Sequence, residues 1–205
     1  MNLLIFLLTF IVFLFTLYRL VKDDHVFLRK NIKHEQIFDS VFLSTIIGLV
    51  FSQFTYSKDS MPIPQVVLGG SIALFLIGRF KKFPIGRFFD FFSISFLNSI
   101  TILFLINGLF LNRSYFAVNL FEALIYLLLA IFFSKFFIPR IMSRTIRDGK
   151  LSIYIFCIYS FFSLLVSIFN LLMKHVGFWN AENVSLIAVF AIAIISLFKQ
   201  IIESK

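Results

Sequence analysis

The ionisable and amide side chains inside apolar stretches are the residues of this chain that could do chemistry. Glu122 lies in a long apolar segment, with Tyr115 and Asn119 seven and three residues before it and Tyr126 four residues after it. This spacing places the four side chains on one face of a helix. Such a face predicts either hydrogen bonding between helices or a site for a lipid headgroup or substrate.

A second polar stripe lies in a later apolar segment, at Tyr159, Ser163, Ser167 and Asn170. Spacings of four, four and three residues again predict a single helix face. The same two alternatives, helix packing and a binding site, are open for this stripe.

Asp90 begins another apolar segment, where a carboxylate can bind free N–H groups and interact favourably with the helix dipole. Capping and a functional role are both open for Asp90, whereas Asp39, at the start of an earlier segment, is interpreted as a cap. Asn98 and Asn107 are nine residues apart and point to opposite sides of a straight helix. Only one of these two amides can therefore face the interior.

Several kinds of site are not predicted. The only cysteine is Cys157, which excludes a disulfide and a cysteine-based zinc site. The histidines, His25, His34 and His175, have no ligand at metal-binding spacing, and there is no Ser-His-Asp or Walker pattern. We therefore predict no metal and no cofactor.

The elements that must position these residues are membrane-spanning helices. Of the 205 residues, 60% are hydrophobic and only 14% are charged, so the relevant solvent is a lipid bilayer. A span needs roughly 20 apolar residues as a helix. We predict a single polytopic domain, an all-α bundle of seven helices, at residues 3–20, 37–57, 64–80, 88–111, 116–138, 151–173 and 183–198.

The basic residues alternate along this segmentation. Of the 19 Lys and Arg residues, 16 follow the first, third, fifth or seventh span, and the other side has only Lys58, Arg113 and Lys174. Because basic residues accumulate in cytoplasmic loops, the pattern predicts the N-terminus outside and the C-terminus inside. It also explains the net charge of +9 without a nucleic-acid partner. The first span has no positive start and no cleavage site, so we expect it to be retained.

Small residues in the third span predict close helix packing. Gly69 and Ala73 form a small-xxx-small pair, and Gly70 and Gly78 lie on a neighbouring face.

The order of these features resembles the prolipoprotein diacylglyceryl transferase family. The segments "HEQIFDSVFLSTIIGLVFSQFTY", "VVLGGSIALFLIGRFKKFPIGRFFDFF" and "FAVNLFEALIYLLLAIFF" are similar to successive helices of that family, and the resemblance covers nearly the whole chain. It implies a bacterial cytoplasmic-membrane enzyme that transfers diacylglyceryl from phosphatidylglycerol to a lipobox cysteine during lipoprotein maturation. The matching positions are Gly69, Gly70, Asp90, Asn107, Leu120 and Glu122.

The departures from the family fall on its chemistry. Leu68 stands in place of a His, and Phe104 and Val50 stand in place of Arg. Ser163 and Ser167 replace a paired Arg and Glu, and Asn112 replaces a Glu. Neither Phe, Val nor Ser can give the charge and paired hydrogen bonds of an Arg on a lipid phosphate.

Three hypotheses follow for the function. In the first, a diverged transferase orients phosphatidylglycerol through Asp90, Asn107 and Glu122. In the second, a non-catalytic protein of the same fold binds lipid, a lipoprotein precursor or another membrane subunit. In the third, the chain is an unrelated small transporter. Arg113 is either a relocated phosphate contact or an interfacial anchor. The predicted binding residues are Gly69, Gly70, Asn112, Arg113, Asn119, Tyr126, Ser163 and Ser167.

Overall fold

The computed structural model describes residues 3–22, 24–55, 63–111, 116–174 and 181–203. Within these ranges the chain forms nine α-helices and one π-helical turn, and no strand. The helices are α1 (Leu3–Lys22), α2 (His25–Arg29), α3 (His34–Thr55), α4 (Ile63–Phe80), α5 (Ile85–Ile106), α6 (Phe116–Phe136), α7 (Ile138–Met142), α8 (Lys150–Lys174) and α9 (Ala181–Glu203). The π-helical turn, Asn107–Leu111, directly follows α5.

Six of the described helices are long and apolar enough to cross a membrane. They correspond to the first six predicted spans. The seventh predicted span lies in α9, whose apolar part, Asn183–Lys199, is shorter than the other six. The long helices expose large apolar side chains to their surroundings, such as Phe15, Leu128 and Ile195 at 65–67%. Surfaces of this kind are stable against lipid and unfavourable in water.

The chain divides into two compact units, each made of two separate stretches. Unit 1 contains the described residues up to His34 and those from Gly86 to Ser152, and unit 2 contains the described remainder. Helix α5 supplies much of the core of unit 1, where Phe92 packs edge-on against Phe13 of α1 at 5.2 Å between ring centroids. The hydroxyls in α5, including Ser95 and Thr101, donate to backbone carbonyls three or four residues earlier. They are therefore satisfied within their own helix.

In unit 2, glycines let α3 and α4 approach closely, as the small-residue spacing predicted. A Cβ atom added at Gly48 would lie 2.6 Å from the carbonyl oxygen of Val66, and one at Gly69 would lie 2.7 Å from Cβ of Phe51. At Gly70 the nearest atom, the carbonyl oxygen of Ser44, is 3.4 Å away. Helix packing thus accounts for the burial of Gly69 and Gly70, which the sequence had also offered as substrate-binding positions.

This packing gives the first testable prediction. The Gly48→Ala variant is expected to lower the free energy of unfolding by about 1–3 kcal/mol, because its new methyl group meets backbone atoms that cannot move aside. The measurement is an SDS unfolding titration in mixed micelles, followed by circular dichroism. Gly70→Ala is the matched control and should leave the midpoint unchanged or raise it. Equal midpoints for the two variants would show that the close approach at Gly48 is not required.

Candidate functional site

The polar face predicted on α6 is buried in unit 1. Asn119, Glu122 and Tyr126 are 6%, 8% and 1% exposed, whereas Phe121 and Leu128 are 62% and 65% exposed. A buried carboxylate beside a buried amide offers hydrogen-bond acceptors and donors in a medium where both are strong. The three described side chains of the predicted face are therefore buried together, and Tyr115 lies outside the described residues.

The π-helical turn brings Asn107 to the same place. Its side-chain Nδ2 lies 3.4 Å from Oδ1 of Asn119. Gly108 makes this approach possible, since a Cβ atom there would lie only 3.1 Å from that of Asn119. Single π-helical turns often occur at functional sites. We call Asn107, Asn119, Glu122 and Tyr126 the amide cluster.

One donor in the amide cluster has no partner among the described residues. Nδ2 of Asn119 is buried and makes no hydrogen bond to any of them, although its Oδ1 accepts from Asn107. An unsatisfied buried N–H group costs about 1–3 kcal/mol, so an acceptor supplied by a ligand would stabilise this arrangement. As an amide N–H group, Nδ2 can only donate, so the group that it binds must be a hydrogen-bond acceptor.

Tyr126 closes the cluster on one side by stacking on Phe104. Their ring centroids are 5.7 Å apart and the ring planes differ by 24°. Phe104 stands where the resemblance implies an Arg, and its side chain forms one ring of this stacked pair.

Asp90 does not belong to the amide cluster. It lies seventeen residues before Asn107, which corresponds to about 25 Å along the helix. Its Oδ1 accepts from the backbone N–H of Ser152 at 2.8 Å, and its Oδ2 accepts from that of Gly149 at 2.7 Å. Asp90 therefore caps the N-terminus of α8 instead of its own helix. The expected trio of Asp90, Asn107 and Glu122 is not gathered in one place.

Asp39 was also interpreted as a cap, and the structure corrects this. Helix α3 begins at His34, three residues before the predicted span, so Glu35 occupies the first turn and Asp39 lies further along the helix. Asp39 is exposed there.

Sequence reasoning missed an ion network near Asp90 in unit 1. Arg87 donates from Nη2 and Nε to Oδ2 of Asp24, at 2.6 and 2.9 Å, and from Nη1 to Oδ1 of Asp148 at 3.0 Å. Nη1 also donates to the carbonyl oxygen of Ile141. Arg87 and Asp24 are almost completely buried, whereas the Asp148 side chain is 38% exposed. The sequence signal that could have revealed this network is the presence of acidic residues, such as Asp24 and Asp148, in predicted loops that are otherwise rich in Lys and Arg.

Asp24 also makes helix-capping hydrogen bonds, in addition to its contacts with Arg87. Its Oδ1 accepts from the backbone N–H groups of Val26 and Phe27, at 2.9 and 3.2 Å, and so caps the short helix α2. The loops that join these contacts are ones that the charge alternation assigned to the same side of the membrane. The contacts bring Asp24, Arg87 and Asp148 of these segments together within unit 1.

Ser163 and Ser167, which were also predicted to bind substrate, are half-buried on α8 in unit 2, where Ser167 donates to Oδ1 of Asn183 at 2.7 Å. This bond is the interhelical packing contact that was one of the two alternatives for the stripe. Asn112 and Arg113 lie outside the described residues. Among the described residues, no three His, Cys, Asp or Glu side chains are grouped so that they could hold a metal ion.

No family model, curated protein or solved structure matches this chain.

Proposed function

We propose that this chain is a transferase-like membrane protein that binds the headgroup of phosphatidylglycerol at the amide cluster and does not itself transfer diacylglycerol. The observation that carries the proposal is the buried Nδ2 of Asn119, which has no partner among the residues that the structure describes, on the same helix face as the buried carboxylate of Glu122. The resemblance to the diacylglyceryl transferases supports the choice of lipid.

The chemistry of the headgroup fits these groups. Phosphatidylglycerol carries a glycerol with two hydroxyls, each of which can donate and accept. A carboxylate such as Glu122 accepts from one hydroxyl, and Nδ2 of Asn119 donates to an oxygen of the same glycerol or of the phosphate. Charge-assisted bonds of this kind are stronger than bonds between neutral groups.

The missing catalytic groups support binding without turnover. Alkylation of a thiol requires a base to form the thiolate and a cation to stabilise the departing phosphate. The three histidines of the sequence are outside the predicted spans, and the stacked ring of Phe104 occupies the position of the expected Arg. The inferred role is binding of lipid, a lipoprotein precursor or another membrane subunit.

The proposal includes a topology and a location. We infer seven spans with the N-terminus outside and the C-terminus inside, in a bacterial cytoplasmic membrane. The bias of basic residues supports the orientation, and the resemblance supports the location.

Lipid binding and transfer are tested on one preparation. Asn119→Leu is expected to weaken phosphatidylglycerol binding about tenfold, because it removes the unpartnered donor and leaves Glu122 in place. Native mass spectrometry of the protein titrated with phosphatidylglycerol measures the change. Asn98→Leu, at an amide of α5 outside the amide cluster, is the matched control and should bind as the unchanged protein does.

The transfer assay uses liposomes of phosphatidylglycerol with a lipobox peptide, followed by mass spectrometry for a diacylglyceryl thioether. No product is expected, while an active transferase run in parallel forms it. Product above the protein-free control would overturn the non-catalytic part of the proposal. Equal binding by Asn119→Leu and the unchanged protein would overturn the assignment of the amide cluster.

A further inference from the structure

A basic turn follows the end of α6 in unit 1, at residues 137–147. Its short helix α7 buries Ile138 and Ile141 and exposes Pro139 and Arg140. Arg144, four residues after Arg140, is also exposed. The turn therefore has an apolar side held in the protein and a cationic side turned outward.

Hydrogen bonds fix the backbone of this turn. The carbonyl oxygen of Arg140 accepts from the backbone N–H of Thr145 at 2.9 Å and of Ile146 at 3.3 Å, and from the Thr145 hydroxyl at 2.9 Å. Arg144 has a φ of 60° and donates its N–H to the carbonyl oxygen of Ile141 at 3.0 Å. Arg87 binds that same carbonyl from inside the protein. The backbone that carries the exposed Arg140 and Arg144 side chains is thus preorganised by these hydrogen bonds.

An open groove of about 640 Å³ runs along the turn, lined by Pro139, Arg140, Ser143, Thr145 and Ile146. We propose that this groove binds the phosphate of an anionic phospholipid, with Arg140 as its principal contact and Arg144 beside it. A guanidinium group binds phosphate oxygens through paired, charge-assisted hydrogen bonds.

The neighbouring residues favour a lipid as the source of the phosphate. Phe132 and Phe136, in the last turns of α6, are about half exposed, at 47% and 53%. These two residues directly precede the basic turn. A phospholipid whose acyl chains pack on their rings would therefore have its phosphate close to Arg140. Basic clusters beside a membrane helix bind anionic headgroups in this way. The inference does not depend on the function proposed for the amide cluster.

The test uses phosphatidic acid, which has a phosphate and no glycerol headgroup. Native mass spectrometry of the full chain, titrated with this lipid, gives the apparent Kd. The double variant Arg140→Gln/Arg144→Gln is expected to weaken binding about 30-fold, or about fivefold for each guanidinium group removed. Arg29→Gln/Lys30→Gln, an exposed pair at the end of α2, makes the same change in net charge and should have little effect.

Circular dichroism of each variant establishes that it is folded, and Asn98→Leu, outside the amide cluster, should bind phosphatidic acid as the unchanged protein does. If the two double variants weaken phosphatidic acid binding equally, only the surface charge matters, and the assignment of the lipid phosphate to the groove is wrong. Binding of inorganic phosphate at the same concentrations, with the same sensitivity to Arg140 and Arg144, would overturn the assignment to a lipid. The proposal is supported if phosphatidic acid binds, inorganic phosphate does not, and only the Arg140→Gln/Arg144→Gln variant has a lower affinity for the lipid.

Discussion

The Arg87→Met variant is expected to lose about 3–5 kcal/mol of unfolding free energy, the largest effect that this structure predicts. Met has a similar length and no charge, so the change leaves the Asp24 carboxylate buried without its cation. Asp148 contributes less to the loss, because its side chain is partly exposed to solvent. The measurement is the midpoint of an SDS titration in mixed micelles, followed by circular dichroism.

Two further variants separate charge from packing. Arg29→Met changes an exposed Arg in the same unit and should shift the midpoint little. Adding Asp24→Asn to Arg87→Met should recover about 2 kcal/mol, because Asn still caps α2 and no longer buries a charge. If the double variant is as unstable as the sum of the two single variants, the unpaired carboxylate is not the cause.

The second large effect is expected at Asp90. Asp90→Ala removes the acceptor of two backbone N–H groups at the start of α8 and should cost about 2–4 kcal/mol. Amide hydrogen exchange at Gly149 and Ser152 should accelerate at least tenfold, since both N–H groups lose their partner. Asp39→Ala, at an exposed carboxylate, is the control and should change neither stability nor exchange at these amides.

The same variant decides between the two interpretations of Asp90. If Asp90 only caps α8, folded Asp90→Ala protein binds phosphatidylglycerol as tightly as the unchanged chain. If the Asp90→Ala protein is as stable as the unchanged chain but no longer binds phosphatidylglycerol, the capping assignment is wrong and Asp90 belongs to the binding site.

The long helices could be predicted because each depends on a local property, an apolar run of sufficient length. Their ends were harder, and α5 shows why. The predicted span began at residue 88 because Arg87 was treated as a basic loop residue, whereas the helix begins at Ile85 and buries Arg87. Burial of this Arg depends on Asp24 and Asp148, which are far away in sequence, and no local pattern contains that information.

The amide cluster was also only partly predictable. The face shared by Asn119, Glu122 and Tyr126 follows from helical periodicity alone. The contact of Asn107 with Asn119 depends on the π-helical turn and on the return of α6 alongside it. A straight helix was assumed for residues 88–111, so the sequence could not predict this contact.

The ion network also dictates an order of assembly during synthesis. Asp24 is made 63 residues before Arg87, and Asp148 is made 61 residues after it. When Arg87 leaves the ribosome, the carboxylate of Asp24 has therefore already been synthesised, whereas that of Asp148 has not. Unit 1 is likewise interrupted by residues 35–85, which have to be synthesised before α5 can join α1. We expect nascent chains that end before Asp148 to hold Arg87 by one carboxylate, with the loop that carries Ile141 still open.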